Sequence, residues 1–186
     1  MRRFVCALSA LFLAVVLISC TGLKVRMGEW SDFRLLPPDS VDGPLDSYQL
    51  VTGTFPGFDE GIALEAWLVW DEVSLEMMLF APTGQTMGKV VYDGNDVSFE
   101  SAFIPEYGVV GLYMVADMQL GFARSDSLEK ALSDGGMVLE EKTADGVPVS
   151  RCIYEDGKQI YAISYDGPVI SVSNLVRGYS YTIEIL

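Results

Sequence analysis

Histidine is missing from this 186-residue chain. That absence removes imidazole metal sites, Cys–His nucleophiles and Ser–His–Asp triads together. Cysteine is scarce: Cys6 sits in an apolar N-terminal run, Cys20 directly follows it, and Cys152 stands alone far downstream. Positive charge is also scarce, with 12 Lys and Arg against 26 Asp and Glu and a net charge of −14. Nucleic acid needs clustered Lys and Arg, so it is not an expected partner. Attachment to anionic lipid through a polybasic stretch is excluded on the same ground. The chain also lacks a Gly-x-Ser-x-Gly elbow, a phosphate loop and a dinucleotide fingerprint. Carboxylate pairs or a Ser–Lys arrangement remain as catalytic options. Most acids, however, occupy turn positions such as Asp93-Gly94, Asp145-Gly146, Asp156-Gly157 and Asp166-Gly167, where Asp and Gly supply the backbone angles of a tight hairpin. Calcium loops or glycosidase acids could be written from the same residues, but turns account for them with fewer assumptions. The expectation is a non-catalytic protein with no cofactor and no metal.

What is present begins at the N-terminus. Arg2 and Arg3 precede an apolar run, Phe4 to Ile18, broken only by Ser9. A charged start followed by such a run is the layout of a secretory signal, and at ~15 residues it falls short of the ~20 that cross a bilayer. Leu17-Ile18-Ser19-Cys20 then resembles the bacterial lipobox, in which the small residue before the cysteine admits the signal peptidase and the thiol takes a diacylglycerol. Residues 1–19 are therefore expected to be removed and Cys20 to become a lipid anchor. Two or three acyl chains hold a protein stably at a membrane surface where one does not. The signal carries two arginines and no acid, so the mature chain is more acidic still. With Cys20 acylated, Cys152 has no disulfide partner even in an oxidising export compartment. Its setting in Val149-Ser150-Arg151-Cys152-Ile153-Tyr154 reads as a strand, with Cys152 as a small buried hydrophobe.

Residues 20–44 read as the acylated cysteine followed by a tether, because Pro37, Pro38, Gly43 and Pro44 discourage regular structure. Residues 45–186 are long enough for one domain with a core of its own. Strand patterns separated by turn signals occur at Tyr48–Phe55, Ile62–Trp70, Val73–Phe80, Met87–Asp93 and Val97–Ser101. A second group follows at Met137–Lys142, Val149–Glu155, Gln159–Tyr165, Val169–Asn174 and Tyr179–Ile185. Short connections imply antiparallel pairing of neighbours. Alternation is cleanest at Tyr179, Tyr181, Ile183 and Ile185, whereas Trp67 and Val69 interrupt the polar face of their strand. Between the groups, Gly108–Phe122 is apolar on nearly all sides and suits a helix, and Ser125 to Leu132 suits a second one capped by Ser or Asp and stopped at Gly135. The fold class expected is mainly β with a small helical insert: an unclosed antiparallel barrel of about ten strands curved around an apolar helix.

Periodicity alone favours the first helix as a plain core plug. A movable lid over a lipid cavity is the other reading, supported by Gly108, Gly111 and Gly121 as hinges and by the adaptable Met114 and Met118.

Leu79-Phe80-Ala81-Pro82-Thr83-Gly84-Gln85 followed by Val90-Val91-Tyr92-Asp93-Gly94 is similar to the strand–Pro-x-Gly–strand segment of LolB-like outer-membrane lipoproteins. More closely, the chain resembles a bacterial outer-membrane lipoprotein family of the LolA/LolB-like fold group, some of whose members accompany aryl-polyene lipid biosynthesis genes. The features shared with it include Asp117-Met118-Gln119-Leu120, Arg151 and the closing Gly178-Tyr179-Ser180-Tyr181-Thr182-Ile183, within roughly residues 45–186. The resemblance implies an unclosed barrel with a helical lid and a hydrophobic cavity for the acyl chains of a lipid or lipoprotein. It also implies a site at the outer membrane facing the periplasm, and a periplasmic carrier protein as a partner. LolB proteins carry a large apolar residue in the Pro-x-Gly loop where this chain has Thr83, so fold and ligand class carry over rather than substrate. The expected cavity wall is Leu64, Leu68, Leu75, Met77, Leu79, Val90, Tyr92 and Phe99, with Leu112, Met114 and Met118 from the lid. The competing expectation is a structural or interaction lipoprotein with a filled core.

Overall fold

A computed structural model describes residues 22–55, 58–101, 103 and 108–186, so the segment read as a signal peptide and the anchor Cys20 lie outside the described residues. Among the described residues, twelve strands and two α-helices follow in chain order: β1 (Lys24–Arg26), β2 (Asp32–Arg34), β3 (Leu45–Phe55), β4 (Phe58–Trp70), β5 (Leu75–Phe80), β6 (Thr86–Tyr92), β7 (Val97–Ser101), α1 (Gly108–Phe122), α2 (Ser125–Asp134), β8 (Met137–Ala144), β9 (Val147–Glu155), β10 (Lys158–Asp166), β11 (Val169–Asn174) and β12 (Tyr179–Ile185). Strands β3 to β12 form one ten-stranded antiparallel sheet, in the order β7-β6-β5-β4-β3-β12-β11-β10-β9-β8. The sheet does not close into a barrel, since β7 and β8 are its two edges. The helices connect those edges in the chain, which is why they lie across the inner face. The expected class, mainly β with an unclosed sheet and a helical insert, is the observed one.

The turns follow the dipeptides. Asp145 and Asp156 adopt positive φ (53° and 49°) ahead of Gly146 and Gly157 at 80° and 77°. Two consecutive left-handed residues make the two-residue turn whose twist matches a hairpin. The Asp93 carboxylate accepts the backbone N–H of Asn95 and Asp96, both at 2.8 Å, so its task is to close a turn.

Period-two alternation sorts the sheet into faces. Leu75, Met77 and Leu79 of β5 are buried, as are Ala66, Leu68 and Trp70 of β4, and their alternate neighbours are more exposed. Eight of the nine junctions in this sheet join strands consecutive in the chain, and the one long-range junction is β12 against β3. There Ile183 pairs with Val51 and Tyr181 with Gly53.

Two expectations need correction. Residues 22–44 are not a loose tether. β1 and β2 pair as a hairpin, Pro38–Ser40 forms a 3₁₀ turn, and Val25, Met27, Phe33, Leu35, Leu36 and Val41 are buried in the common core. Prolines mark the absence of long elements but do not prevent burial, and side chains from distant parts of the chain clasp this segment. Gln119 accepts the N–H of Leu36 and donates to its carbonyl, both at 2.8 Å. The Tyr92 hydroxyl donates to the same carbonyl at 2.9 Å, and the Trp70 indole to the Pro38 carbonyl at 2.7 Å. Cys152 is the second correction. Its neighbours Arg151 and Ile153 point inward and are buried, so alternation turns Cys152 to the outer face, where it is half-buried as a free thiol.

Candidate functional site

Helix α1 is the element on which any function in the interior depends, and it is fastened unequally along its length. It is almost wholly apolar, as a helix buried on most sides must be. Val115, Ala116 and Leu120 are fully inaccessible, and Met118 is nearly so. Its two interior polar residues are both engaged. The Asp117 carboxylate, deep in the core, accepts hydroxyls from Tyr161 at 2.7 Å, Tyr179 at 2.9 Å and Tyr181 at 3.0 Å. Asn174 in turn donates to the Tyr161 oxygen at 2.6 Å. Burial raises the Asp117 pKa to about 6, against the opposing pull of the three tyrosines and the Arg177 charge. The same burial, with Asp117 alongside, pushes all three tyrosines upward, so they remain neutral donors.

The C-terminal carbonyls of the helix, which have no intrahelical partner, are capped by two side chains, and the smaller share falls to the Tyr165 hydroxyl, which donates to the Gly121 carbonyl at 2.8 Å. Arg151 donates to the carbonyls of Leu120 at 2.8 Å, Gly121 at 3.3 Å and Ala123 at 2.9 Å. Its Nε binds Glu141 at 2.7 Å, and the two side chains are 4% and 16% exposed. A guanidinium at a helix C-terminus also meets the negative end of the dipole. Ser125, expected to cap α2, instead donates to Glu141 and accepts from Arg151. Arg124 takes the N-cap position without a side-chain bond to the helix, its guanidinium donating instead to the carbonyls of Asp39 and Val41.

The first half of α1 is held differently. Tyr113 is tied at the surface, to the Arg26 carbonyl at 3.0 Å and to the Arg177 guanidinium, which also lies over its ring. Leu112 and Met114 are only partly buried, and Val109 is 55% exposed. Gly111, read as a hinge, has a packing reason instead. A Cβ there would stand 2.9 Å from the Phe99 Cβ and 3.2 Å from a Val97 methyl, so glycine lets the helix lie against β7.

The expected cavity residues divide accordingly. Leu68, Leu75, Met77, Leu79, Val90, Tyr92 and Met118 are buried in the packed core. Leu64, Phe99, Leu112 and Met114 are half-buried and pack against it. Three clefts stand elsewhere, and none is lined by these eleven residues. A shallow one of about 760 Å³ lies on the outer face over Thr52, Thr54, Ser180 and Thr182. Another of about 390 Å³ opens beside Phe122, Arg151 and Ile185. The third, about 210 Å³, adjoins the β1–β2 hairpin. Asp117, Gln119 and Arg151 figured in the sequence only as shared motifs. Their roles as fasteners depend on partners 10 to 83 residues away, at spacings that leave no local pattern.

Fold and interior together define a mainly-β protein whose unclosed antiparallel sheet carries a buried helix across its inner face. A family model described as "Protein of unknown function (DUF3261)" matches residues 46–186, and the chain belongs to that family. Among curated proteins none matches it in sequence. Among solved structures it is similar to a LolA superfamily protein from Nitrosomonas europaea, with a TM-score of 0.45 and 7% identity, covering 81% of this chain and 88% of that one.

Proposed function

We propose that this protein is a lipid-anchored, non-catalytic binding protein that holds the acyl chains of a lipid or lipoprotein, working from the periplasmic face of the outer membrane. The observation that carries the reading is the unequal fastening of α1. From Asp117 onward the helix is bound through buried hydrogen bonds, and breaking one strands a polar group at a cost of about 1–3 kcal/mol. Between Gly108 and Met114 it rests on half-buried apolar contacts with β7 and on the solvent-exposed bonds of Tyr113 to Arg26 and Arg177. An acyl chain can take the place of those contacts without stranding any buried polar group, gaining about 25 cal/mol per Å² of apolar surface covered. The mobile part of the lid is then its first two turns. Leu112, Met114, Phe99 and Leu64 line the opening, and Met118 with the other buried members forms the floor. Membrane attachment through acylated Cys20 and exchange with a periplasmic carrier protein belong to the same proposal.

A filled-core interaction module is the second reading. It is favoured by the seven expected cavity residues that are 5% exposed or less. Uptake of a fluorescent fatty acid by the unlipidated chain from residue 21 onward separates the two. The carrier reading expects wild type to bind saturably. It expects Leu112→Glu with Met114→Glu to abolish binding while keeping a cooperative melt, since half-buried positions let a carboxylate reach water. Wild-type protein that melts cooperatively and takes up no probe ends the carrier reading and leaves the module.

A further inference from the structure

The β1–β2 hairpin has one face in the core and one in solvent. Val25, Met27, Phe33 and Leu35 point inward, and Lys24, Trp30, Asp32 and Arg34 line one outward cleft. Trp30 is 74% exposed, an unusual position for the side chain with the most apolar surface to hide. It does not hang on a loose loop. The Glu155 carboxylate accepts three successive backbone N–H groups of the hairpin tip, from Glu29 at 2.7 Å, Trp30 at 2.9 Å and Ser31 at 2.6 Å. A hydrogen bond from the Ser31 side chain, with these backbone bonds, holds the Glu155 pKa down at about 2 against the opposing effect of burial. The turn is thus locked with its indole held outward.

We infer that this hairpin face is the surface on which the protein lies against a phospholipid bilayer, with Trp30 seated among the headgroups. The inference rests on the reading of Cys20 as the acylated residue, and it adds which side of the protein that anchor presents. The length of chain between anchor and body decides the side. Leu23 is packed against the core and its carbonyl accepts Leu35 N–H at 2.9 Å. Three residues of fully extended chain reach at most ~11 Å, so acyl chains on Cys20 enter the bilayer beside this hairpin. Gly22, at the start of the described chain, lies against the Arg34 side chain.

Charge agrees with that orientation. Three of the chain's twelve basic residues, Lys24, Arg26 and Arg34, fall within this hairpin against two acids, Glu29 and Asp32, in a protein with net charge −14. Asp32 is occupied by Arg26 at 2.6 Å, leaving Asp134 as the other carboxylate in the cleft beside Lys24 and Arg34. Repulsion from an anionic leaflet is therefore weaker here than over the acidic remainder. Tryptophan favours the membrane–water interface, where its ring is apolar and its N–H wet.

The test uses the lipidated mature protein in phosphatidylethanolamine–phosphatidylglycerol vesicles with brominated acyl chains, which quench nearby indoles. Three tryptophans report: Trp30, the outer-face Trp67, and Trp70, which is fully buried. Quenching is expected in wild type, with more than half of it lost in Trp30→Phe and little lost in Trp67→Phe. Both substituted side chains are at the surface, so folding is retained. Quenching that survives Trp30→Phe, or that Trp67 carries, overturns the orientation. A diacylglyceryl mass on Cys20 together with unquenched tryptophan overturns the orientation alone. A mature chain without that mass overturns the anchor and the orientation together.

Discussion

Arg151→Met is expected to destabilise the protein by about 3–5 kcal/mol, the range for removing one partner of a buried ion pair. Methionine keeps much of the stem's volume, so the loss is one of polar partners more than of packing. All five N–H groups of the guanidinium are in use, on Glu141, Ser125 and the carbonyls of Leu120, Gly121 and Ala123. Without them the carbonyls of Leu120 and Ala123 lose their side-chain donor, Gly121 keeps only the Tyr165 hydroxyl, and Glu141 is a largely buried carboxylate with only Ser125 as a donor. Arg151→Lys should recover little, because an ammonium cannot span Glu141 and three carbonyls at once. The urea midpoint measures this effect. A shift corresponding to less than about 1 kcal/mol, small against the expected loss, would mean that the helix is held by its apolar contacts alone.

Asp117→Asn is expected to remove most of the protein's pH dependence between about pH 4 and pH 7. The folded-state pKa of about 6 lies above the ordinary 3.8, so the folded protein holds this proton more tightly than the unfolded chain. The associated stability is fully present below pH 3.8 and is lost as pH rises through 6. The loss is on the order of 3 kcal/mol at 1.36 kcal/mol per pKa unit. Glu155 acts in the opposite sense. Lowered from 4.5 to about 2, it stabilises above pH 4.5, and that contribution disappears as pH falls toward 2. Wild type should therefore be most stable near pH 4, declining on both sides. The groups facing Asp117 are Tyr161, Tyr179 and Tyr181, with the Arg177 charge nearby. The tyrosines stay neutral across this range, so the decline above pH 4 belongs to the carboxylate. Denaturation at pH 4, 5, 6 and 7 should give a sloping series for wild type and a flat one for the Asn variant. Parallel slopes in the two would assign the decline to another group.

The carrier proposal and the fastening of α1 bear on one another. A lid of the full Gly108–Phe122 would have to break the Asp117 cluster, the Gln119–Leu36 pair and the Arg151 cap together. A lid of the first two turns breaks none of these. Protonation of Asp117 strengthens the fastening at mild acidity, and so leaves the difference between the two halves of the helix in place.

The ten main strands, the turns between them and the position of α1 were legible in the sequence, because each depends on residues close together in the chain. Asp-Gly dipeptides set the hairpin turns at Asp145-Gly146 and Asp156-Gly157, period-two alternation assigns the faces of a strand, and an apolar run of helical length becomes a buried helix. That information is local, so it survives without a structure. Only the tertiary structure decided that β12 pairs with β3, that residues 22–44 belong to the core, and that Cys152 faces outward. It alone turned Asp117, Gln119, Arg151 and Glu155 into fasteners. Each of these fasteners depends on a partner tens of residues to more than a hundred residues away, such as Glu155 closing the turn at Glu29–Ser31. A polar residue in an apolar run announces a need for a partner. Which group meets the need is settled by packing, when the sheet curls around the helix and brings distant segments within 3 Å.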